Sequence, residues 1–513
     1  MSKPVSAPKV FHVRLLFVFS ICLALSVVGA LRFPTTSSGA RAPLPQTVSK
    51  RPLKGFRRAF VPGEVLVRFR TEPLARTRTG SSRIVALSGE SMPVEVERFG
   101  GSDLVSGARL IHVAPEDTLK TIAALKQQPD VLYAEPNYLL HADATPNDPI
   151  FQQNQYGLIK INAPQAWNTR TGSTGADRVV IAVIDQGIDI NHEDLQANIW
   201  TNPGEISGNG IDDDSNGCID DVHGCNFNNH PNNGNVFSGV DAETHATHVA
   251  GIAGAVGNNG IGVAGVNWSV GLMSLKFLAP SGGGATSGAI DAVNYAKQMR
   301  HLWETTNHAK GANVRVLNAS FGSGEFSQMF LDVLNSLNTP GEQMLFVAAA
   351  GNIDNGTREP NNDLIPHFPS SFNSANIIAV ASTNQGDQLS FFSHFGATTV
   401  DLGAPGEAIF STTPPCANPG FGHACDPDLP LGFGPNTDTY TSFNGTSMST
   451  PFVSGAAALL WAQNPNLTAQ QVKSLLIMNG DVVPALVDKT LTGRRLNVGN
   501  SFQSLATPDA VPP

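Results

Sequence analysis

Charge is scarce in this chain. Only 14% of its 513 residues are Asp, Glu, Lys or Arg, and the surplus is acidic, with a formal net charge of −10. No Lys/Arg block lies outside the N-terminal region, which argues against nucleic acid as a partner. Hydrophobic residues at 41% separate the chain from disordered sequences, and its length implies more than one folding unit and room for one large core. Cysteine is also sparse. Of the five, Cys22 sits in an N-terminal apolar run, which leaves Cys218, Cys225, Cys416 and Cys425. An even number in an exported chain favours disulfides, and 218–225 with 416–425 is the simplest of three connectivities; unpaired loop thiols are the alternative. A zinc-protease helix is lacking too, since His245 and His248 are three apart and no Glu follows the first. What is plentiful is turn chemistry, in 50 Gly and 35 Pro.

The apolar run spans residues 15–31, follows Lys3, Lys9 and Arg14, and closes on Val28-Gly29-Ala30. It reads as a secretory signal over 1–30, with an uncleaved anchor as the alternative. The product would be secreted, extracellular or periplasmic, with a mature form not embedded in a membrane. Residues 31–58, rich in Ser, Pro, Arg and Ala, read as a linker. Over 59–141 the pattern predicts strands at 63–70, 94–99, 109–113 and 131–138. A helix before the last would have Leu119, Ile122, Ala123 and Leu125 on one face. That is a small α+β domain of split βαβ, ferredoxin-like type. A boundary is expected near residue 142, then a large domain over 142–505 and a tail over 506–513. The large domain alternates buried apolar runs, at 179–184, 270–277, 314–318, 343–349 and 377–380, with helical stretches at 244–254, 287–309 and 326–338. Its fold class is α/β, a mainly parallel, doubly wound sheet whose functional residues gather at carboxyl strand ends.

Candidate chemistry lies at such ends. Asp185 follows six buried apolar residues, a costly place for a carboxylate unless its charge is used, although an Asx-turn would also put it there. His245 opens a helical stretch. Ser447, in Asn444-Gly445-Thr446-Ser447-Met448-Ser449-Thr450-Pro451, lies between a Gly-containing turn and a helix start, where backbone N–H groups point outward. It suits a helix cap or a nucleophile.

Three stretches in this order, Val183-Ile184-Asp185-Gln186-Gly187-Ile188-Asp189, His245-Ala246-Thr247-His248-Val249-Ala250-Gly251 and the Ser447 segment, resemble the signatures of the subtilisin-like serine proteases, the subtilases. The resemblance implies a sheet of subtilisin type and an Asp185–His245–Ser447 triad, with Asn352 as the side-chain donor of the oxyanion hole. Ser320, Phe321 and Gly322, with Ala349, Ala350 and Gly351, match segments around the substrate, Gly282 and Gly283 the edge that pairs with extended peptide, and Phe368-Pro369 a cis-proline site. It implies protein or peptide substrates, and a monomer made as a zymogen whose 59–141 domain is its own inhibitor. Gln186 stands where the family usually has Thr or Ser, Ala246 where it has Gly, and Ser449 where it has Ala. An inactive, protease-shaped extracellular binding protein is the competing class.

Calcium is the expected cofactor, in a structural role. Five aspartates fall within residues 212–221. Asp212, Asp214 and Asn216 fit the first half of an oxygen-ligand loop, with Asp220 and Asp221 close behind, but position twelve is His223 and not Glu. A solvated acidic loop is the alternative. The resemblance implies a second site at Asp194, Asn259 and the carbonyls of Ile261 and Val263.

Overall fold

The computed structural model describes residues 60–70, 81–87, 90–97, 105–139, 144–228, 231–239, 243–339, 341–353, 359–415 and 440–506. The signal segment, the linker, the boundary at 142, the 416–425 cysteine pair and residues 507–513 of the tail lie outside them.

The small domain is a five-stranded antiparallel sheet of order β2-β3-β4-β1-β5, with β1 at Phe60–Phe69, β2 at Ser81–Leu87, β3 at Glu90–Glu97, β4 at Ala108–His112 and β5 at Val131–Tyr138. Helix α1, Thr118–Lys126, joins β4 to β5, and β1 is inserted between those two strands, which makes a split βαβ unit. The other half differs from the ferredoxin-like expectation, because the segment between β1 and β3 supplies a further strand, β2, at the sheet edge. The buried stripe of α1 is also turned from the one read in the sequence. Thr118, Thr121, Ile122 and Leu125 face the sheet while Leu119 and Ala123 are exposed. The Thr118 hydroxyl fixes this rotation, accepting the Gly63 N–H and donating to the Pro115 carbonyl, both at 2.8 Å.

Three short helices, α2 (Phe151–Asn154), α3 (Tyr156–Lys160) and α4 (Ala163–Trp167), lead into the large sheet. Its strands are β6 (Val180–Asp185), β7 (Gly224–Asn226), β8 (Gly271–Lys276), β9 (Val314–Ala319), β10 (Leu345–Ala349), β11 (Ile377–Thr383), β12 (Leu402–Pro405), β15 (Asp481–Val482) and β16 (Arg494–Arg495). They lie in the order β15-β16-β12-β11-β10-β9-β6-β8-β7, parallel except for β15 with β16. The five apolar runs read in the sequence are five adjacent strands at its centre. A hairpin of β13 (Ile409–Thr412) and β14 (Tyr440–Phe443) stands apart.

Each central strand is buried on both faces. Along β6, Ile181 and Val183 join one core, which includes Val249 of α5 (Thr244–Gly254) and Phe452 to Trp461 of α8 (Thr446–Gln463). Val180, Ala182 and Ile184 join the other, packed under α6 (Thr286–Thr305) and α7 (Gln328–Asn335). This two-sided burial is why the strands read as unbroken apolar runs. Helix α6 stops before the expected residue 309, because Asn307 and His308 take left-handed backbone at φ 53° and 69°. Two further helices, α9 (Ala469–Met478) and α10 (Val498–Ala506), complete the fold. Cys218 and Cys225 form a disulfide, and the Phe368–Pro369 peptide is cis. No helix among the described residues is long and apolar enough to cross a membrane.

Candidate active site

Asp185 is the last residue of β6 and is fully buried. Its carbonyl accepts the N–H groups of Phe277 and Leu278 at 3.0 and 3.2 Å, and its Oδ1 accepts the Gln186 N–H at 2.7 Å. The chain then turns at Gly187 (φ 111°), where any Cβ would lie 1.9 Å from the Val236 carbonyl oxygen. The turn leaves both carboxylate oxygens facing His245 Nδ1, at 2.9 and 3.0 Å.

His245 is the second residue of α5. Burial pulls its pKa down, but the charge of Asp185 and the hydrogen bond to it outweigh this, and the net shift is upward. His248, one turn on, stacks on Phe443 at 4.4 Å, and its Nε2 lies 3.2 Å from the Thr441 carbonyl. Burial pushes its pKa down to about 3, so the second histidine is a neutral core residue. Ala246 points into the core of α5 and has an ordinary helical backbone, so nothing at this position requires glycine. Gln186 is buried; its Oε1 accepts the His245 backbone N–H at 3.3 Å and its Nε2 donates to the Pro280 carbonyl at 3.2 Å.

Ser447 is the second residue of α8, just after Gly445 (φ 154°). Pro451 lies four residues on and has no N–H for the Ser447 carbonyl. The Ser320 hydroxyl takes that place, donating to the Ser447 carbonyl at 2.9 Å, while Ser447 Oγ donates back to the Ser320 carbonyl at 3.0 Å. The His245 ring bonds only to Asp185 among the described residues. Asn352 follows β10 after Gly351 (φ 111°), and its Oδ1 accepts both the N–H and the hydroxyl of Thr446, at 2.9 and 3.1 Å. That fixes the carboxamide with its Nδ2 amide outward. A Cβ built on Gly445 would be 3.6 Å from both Asn352 Nδ2 and Ser447 N and 3.7 Å from Met448 Sδ, so the two donors lie beside one point. Preorganised donors of this kind suit a developing oxyanion.

Around this point lie the other residues singled out in the sequence. Ser320 is buried, and Phe321 packs edge-on against Phe277 at 4.7 Å. Gly322 and Gly351 both lie against the His367 ring, which a Cβ would meet at 2.1 and 3.0 Å respectively, and at Gly351 it would also meet His394 Nδ1 at 2.7 Å. Ala349 and Ala350 are buried beside Gly351, and Gly282 and Gly283 form an open edge with nothing within 4 Å of a built Cβ. The sequence reading missed His367 because no local pattern links it to either glycine.

In the acidic loop, oxygens of Glu205, Asp212 and Asp214 lie within 4.8 Å of one another, a carboxylate set that fits a hard divalent cation. Glu205 was not among the expected residues, because it stands seven positions ahead of the aspartate run. Asp220 accepts the N–H groups of Asn209 and Gly210, at 3.0 and 2.9 Å, as Asp212 accepts those of Asn216 and Gly217, at 2.9 and 2.8 Å. Asn216 Nδ2 donates to Asp221 at 2.7 Å, and Asp221 also accepts from the Tyr295 hydroxyl. Burial raises the Asp221 pKa to about 6. At the second location Asp194 accepts Asn259 Nδ2 at 2.7 Å and the Val263 N–H at 2.9 Å, while Asn259 Oδ1 accepts the Ile261 N–H at 2.8 Å. Burial, with a smaller contribution from the charge of Asp148, pushes the Asp194 pKa up to about 7. A buried carboxylate of this kind is one that a cation would stabilise.

Residues 176–499 match the subtilase family, and residues 54–137 match the fervidolysin N-terminal prodomain. A thermophilic serine proteinase from a Bacillus species (strain AK1) is 29% identical over 447 residues, covering 87% of this chain and 89% of the relative. Thermitase from Thermoactinomyces vulgaris is 35% identical over 320 residues, 62% of this chain and 86% of that protein. A protease structure from Pseudoalteromonas arctica superposes with a TM-score of 0.51 at 24% identity, over 71% of this chain and all of the other, a likeness of fold.

Proposed function

The chain belongs to the subtilase family as a subtilisin-like serine endopeptidase with an N-terminal prodomain, and we propose that Asp185, His245 and Ser447 are its triad. The observation that carries this is the buried Asp185 carboxylate held on His245 Nδ1 at 2.9 Å, with Ser447 at the start of the helix that packs against the His245 helix. With substrate bound, the Ser447 hydroxyl exchanges the Ser320 carbonyl for the His245 ring, which takes its proton as Oγ attacks the scissile carbonyl. Asp185 holds the tautomer and stabilises the imidazolium. Asn352 Nδ2 and the Ser447 N–H receive the oxyanion. The imidazolium then protonates the leaving amine, and a water repeats the sequence on the acyl-enzyme. Extended peptide adds as a strand along Gly282 and Gly283, between walls that include Ser320 to Gly322 and Ala349 to Gly351.

The protein is made for export as a zymogen with boundaries as read in the sequence, inhibited by its 59–141 domain and cut by itself between residues 138 and 147. Calcium is the ion that suits the oxygen donors of the acidic loop and of Asp194; when bound it holds exposed loops against autolysis. The test is N-terminal sequencing of exported wild type beside Ser447→Ala, with fluorophosphonate labelling of the matured protein. Cleavage near residue 142 and labelling are expected in wild type and absent in the variant. Equal cleavage of both would assign maturation to another protease, and unlabelled matured wild type would remove the triad reading.

A further inference from the structure

His245 enters α5 as its second residue, so its backbone N–H is among those that open a helix without an intrahelical partner. The residue placed to cap it does not. Glu243, at the N-cap, turns its buried carboxylate to Lys276 and to the Ser238 N–H. Gln186 supplies the missing acceptor from a different segment, at 3.3 Å. Its carboxamide orientation follows from its neighbours, since an N–H on one side requires Oε1 and the Pro280 carbonyl on the other requires Nε2. Pro280 belongs to the turn that leaves β8 and forms the glycine edge, closed by Ala279 N–H to the Gly283 carbonyl at 2.8 Å and Gly282 N–H to the Ala279 carbonyl at 2.9 Å. Lys276, the last residue of β8, ties the same strand to Glu243. Phe277 and Leu278, the next two, donate to the Asp185 carbonyl. The turn that would receive substrate is therefore bonded to the start of the His245 helix through one side chain, Gln186, and the strand before it through the Lys276–Glu243 pair.

We propose that Gln186 is a positioning residue that couples peptide pairing along the 279–284 edge to the placement of His245. The inference rests on the triad reading above. Substrate that adds a strand to the edge draws the Pro280 carbonyl into one position, and the carboxamide passes that constraint to the backbone of His245. Binding energy from residues remote from the scissile bond then appears in kcat and not only in KM. A Thr or Ser at this position has no amide donor with which to hold the Pro280 carbonyl while accepting at His245.

The test compares a dipeptide and a tetrapeptide p-nitroanilide, identical next to the scissile bond, on matured wild type, Gln186→Leu and Gln186→Glu. Leu removes both ends of the link, whereas Glu keeps the acceptor for His245 and loses the donor to Pro280. Extension should raise kcat in wild type, and that gain should fall about tenfold in both variants while the effect of extension on KM persists. A merely structural role would lower both substrates in proportion. No gain in kcat in wild type, or the same gain in either variant, overturns the coupling. Fluorophosphonate labelling of Ser447 in the same preparations separates the two ideas: labelled protein with an unchanged gain sinks the coupling alone, while unlabelled wild type sinks the triad on which it rests.

Discussion

In the proposed mechanism Asp185 and Asn352 make different demands on the same reaction. Asp185→Asn keeps the shape of the side chain but removes the charge that raises the His245 pKa, and it favours the wrong tautomer. A fall in kcat of about 10⁴-fold is expected. The base must be neutral to work, so activity is lost as pH falls through the folded pKa of His245. In wild type this acid limb of kcat/KM should lie above the ordinary imidazole value of about 6.5, and in the Asn variant it should move to lower pH; rates measured across the acid and neutral range check both. Asn352→Ala leaves the base intact and removes one donor. The corresponding loss in subtilisin, a member of this family, costs about 10²–10³ in kcat, and that magnitude is carried over to this chain, with little change expected in KM.

At the scale of elements, α5 carries His245 and α8 carries Ser447, and the packing of these two helices on each other depends on Gly455. A Cβ there would lie 2.7 Å from Val266 Cβ and 3.1 Å from the Ala253 carbonyl oxygen. Asn267 Nδ2 bonds to the Gly455 and Ala253 carbonyls, at 2.8 and 3.3 Å, and so ties the two helices across the same point. Gly455→Val should destabilise the fold by about 1–3 kcal/mol, read by denaturant unfolding in a Ser447→Ala background free of autolysis. In the active chain it should also lower kcat, because a wider crossing separates base from nucleophile. Much of this level was legible in the sequence. The two-sided burial of β6, β8, β9, β10 and β11 leaves unbroken apolar runs, and the ends of α5 are those the sequence predicts. Short elements such as β7, β12 and the β13–β14 hairpin were not legible, because a strand of three or four residues shows too little periodicity to separate from a loop. At α1 the true stripe was hidden because Thr118 and Thr121 are buried through hydrogen bonding and packing, which a hydrophobic pattern does not register.

For the molecule as a whole, long-range contacts carry what local patterns could not. Asp185, His245 and Ser447 each stood out by a strand end or helix start, and Asn352 by the resemblance of its segment to the family. Gln186 and His367 take their significance from partners distant in the chain, and Glu205 from a loop that folds Asp212 and Asp214 back onto it; only the fold supplies these contacts. Glu205 alters how the acidic loop would be tested. Wild type should lose activity faster on heating in chelator than in excess calcium, and Glu205→Gln with Asp212→Asn should narrow that difference. A half-life indifferent to chelator would count against both calcium locations.

Helix α8 has one further consequence. It carries Ser447 and lies in a core whose other members come both from far upstream, such as Ile181 and Val249, and from downstream, such as Leu476 and Leu496. While the segment before Gly445 is still being made, the chain has Asp185, His245 and most of its sheet, but neither Ser447 nor the apolar helix that packs against that sheet. On the proposed triad the protease therefore lacks its nucleophile for most of its synthesis, and Ser447 arrives on a helix whose core still awaits α9 and α10.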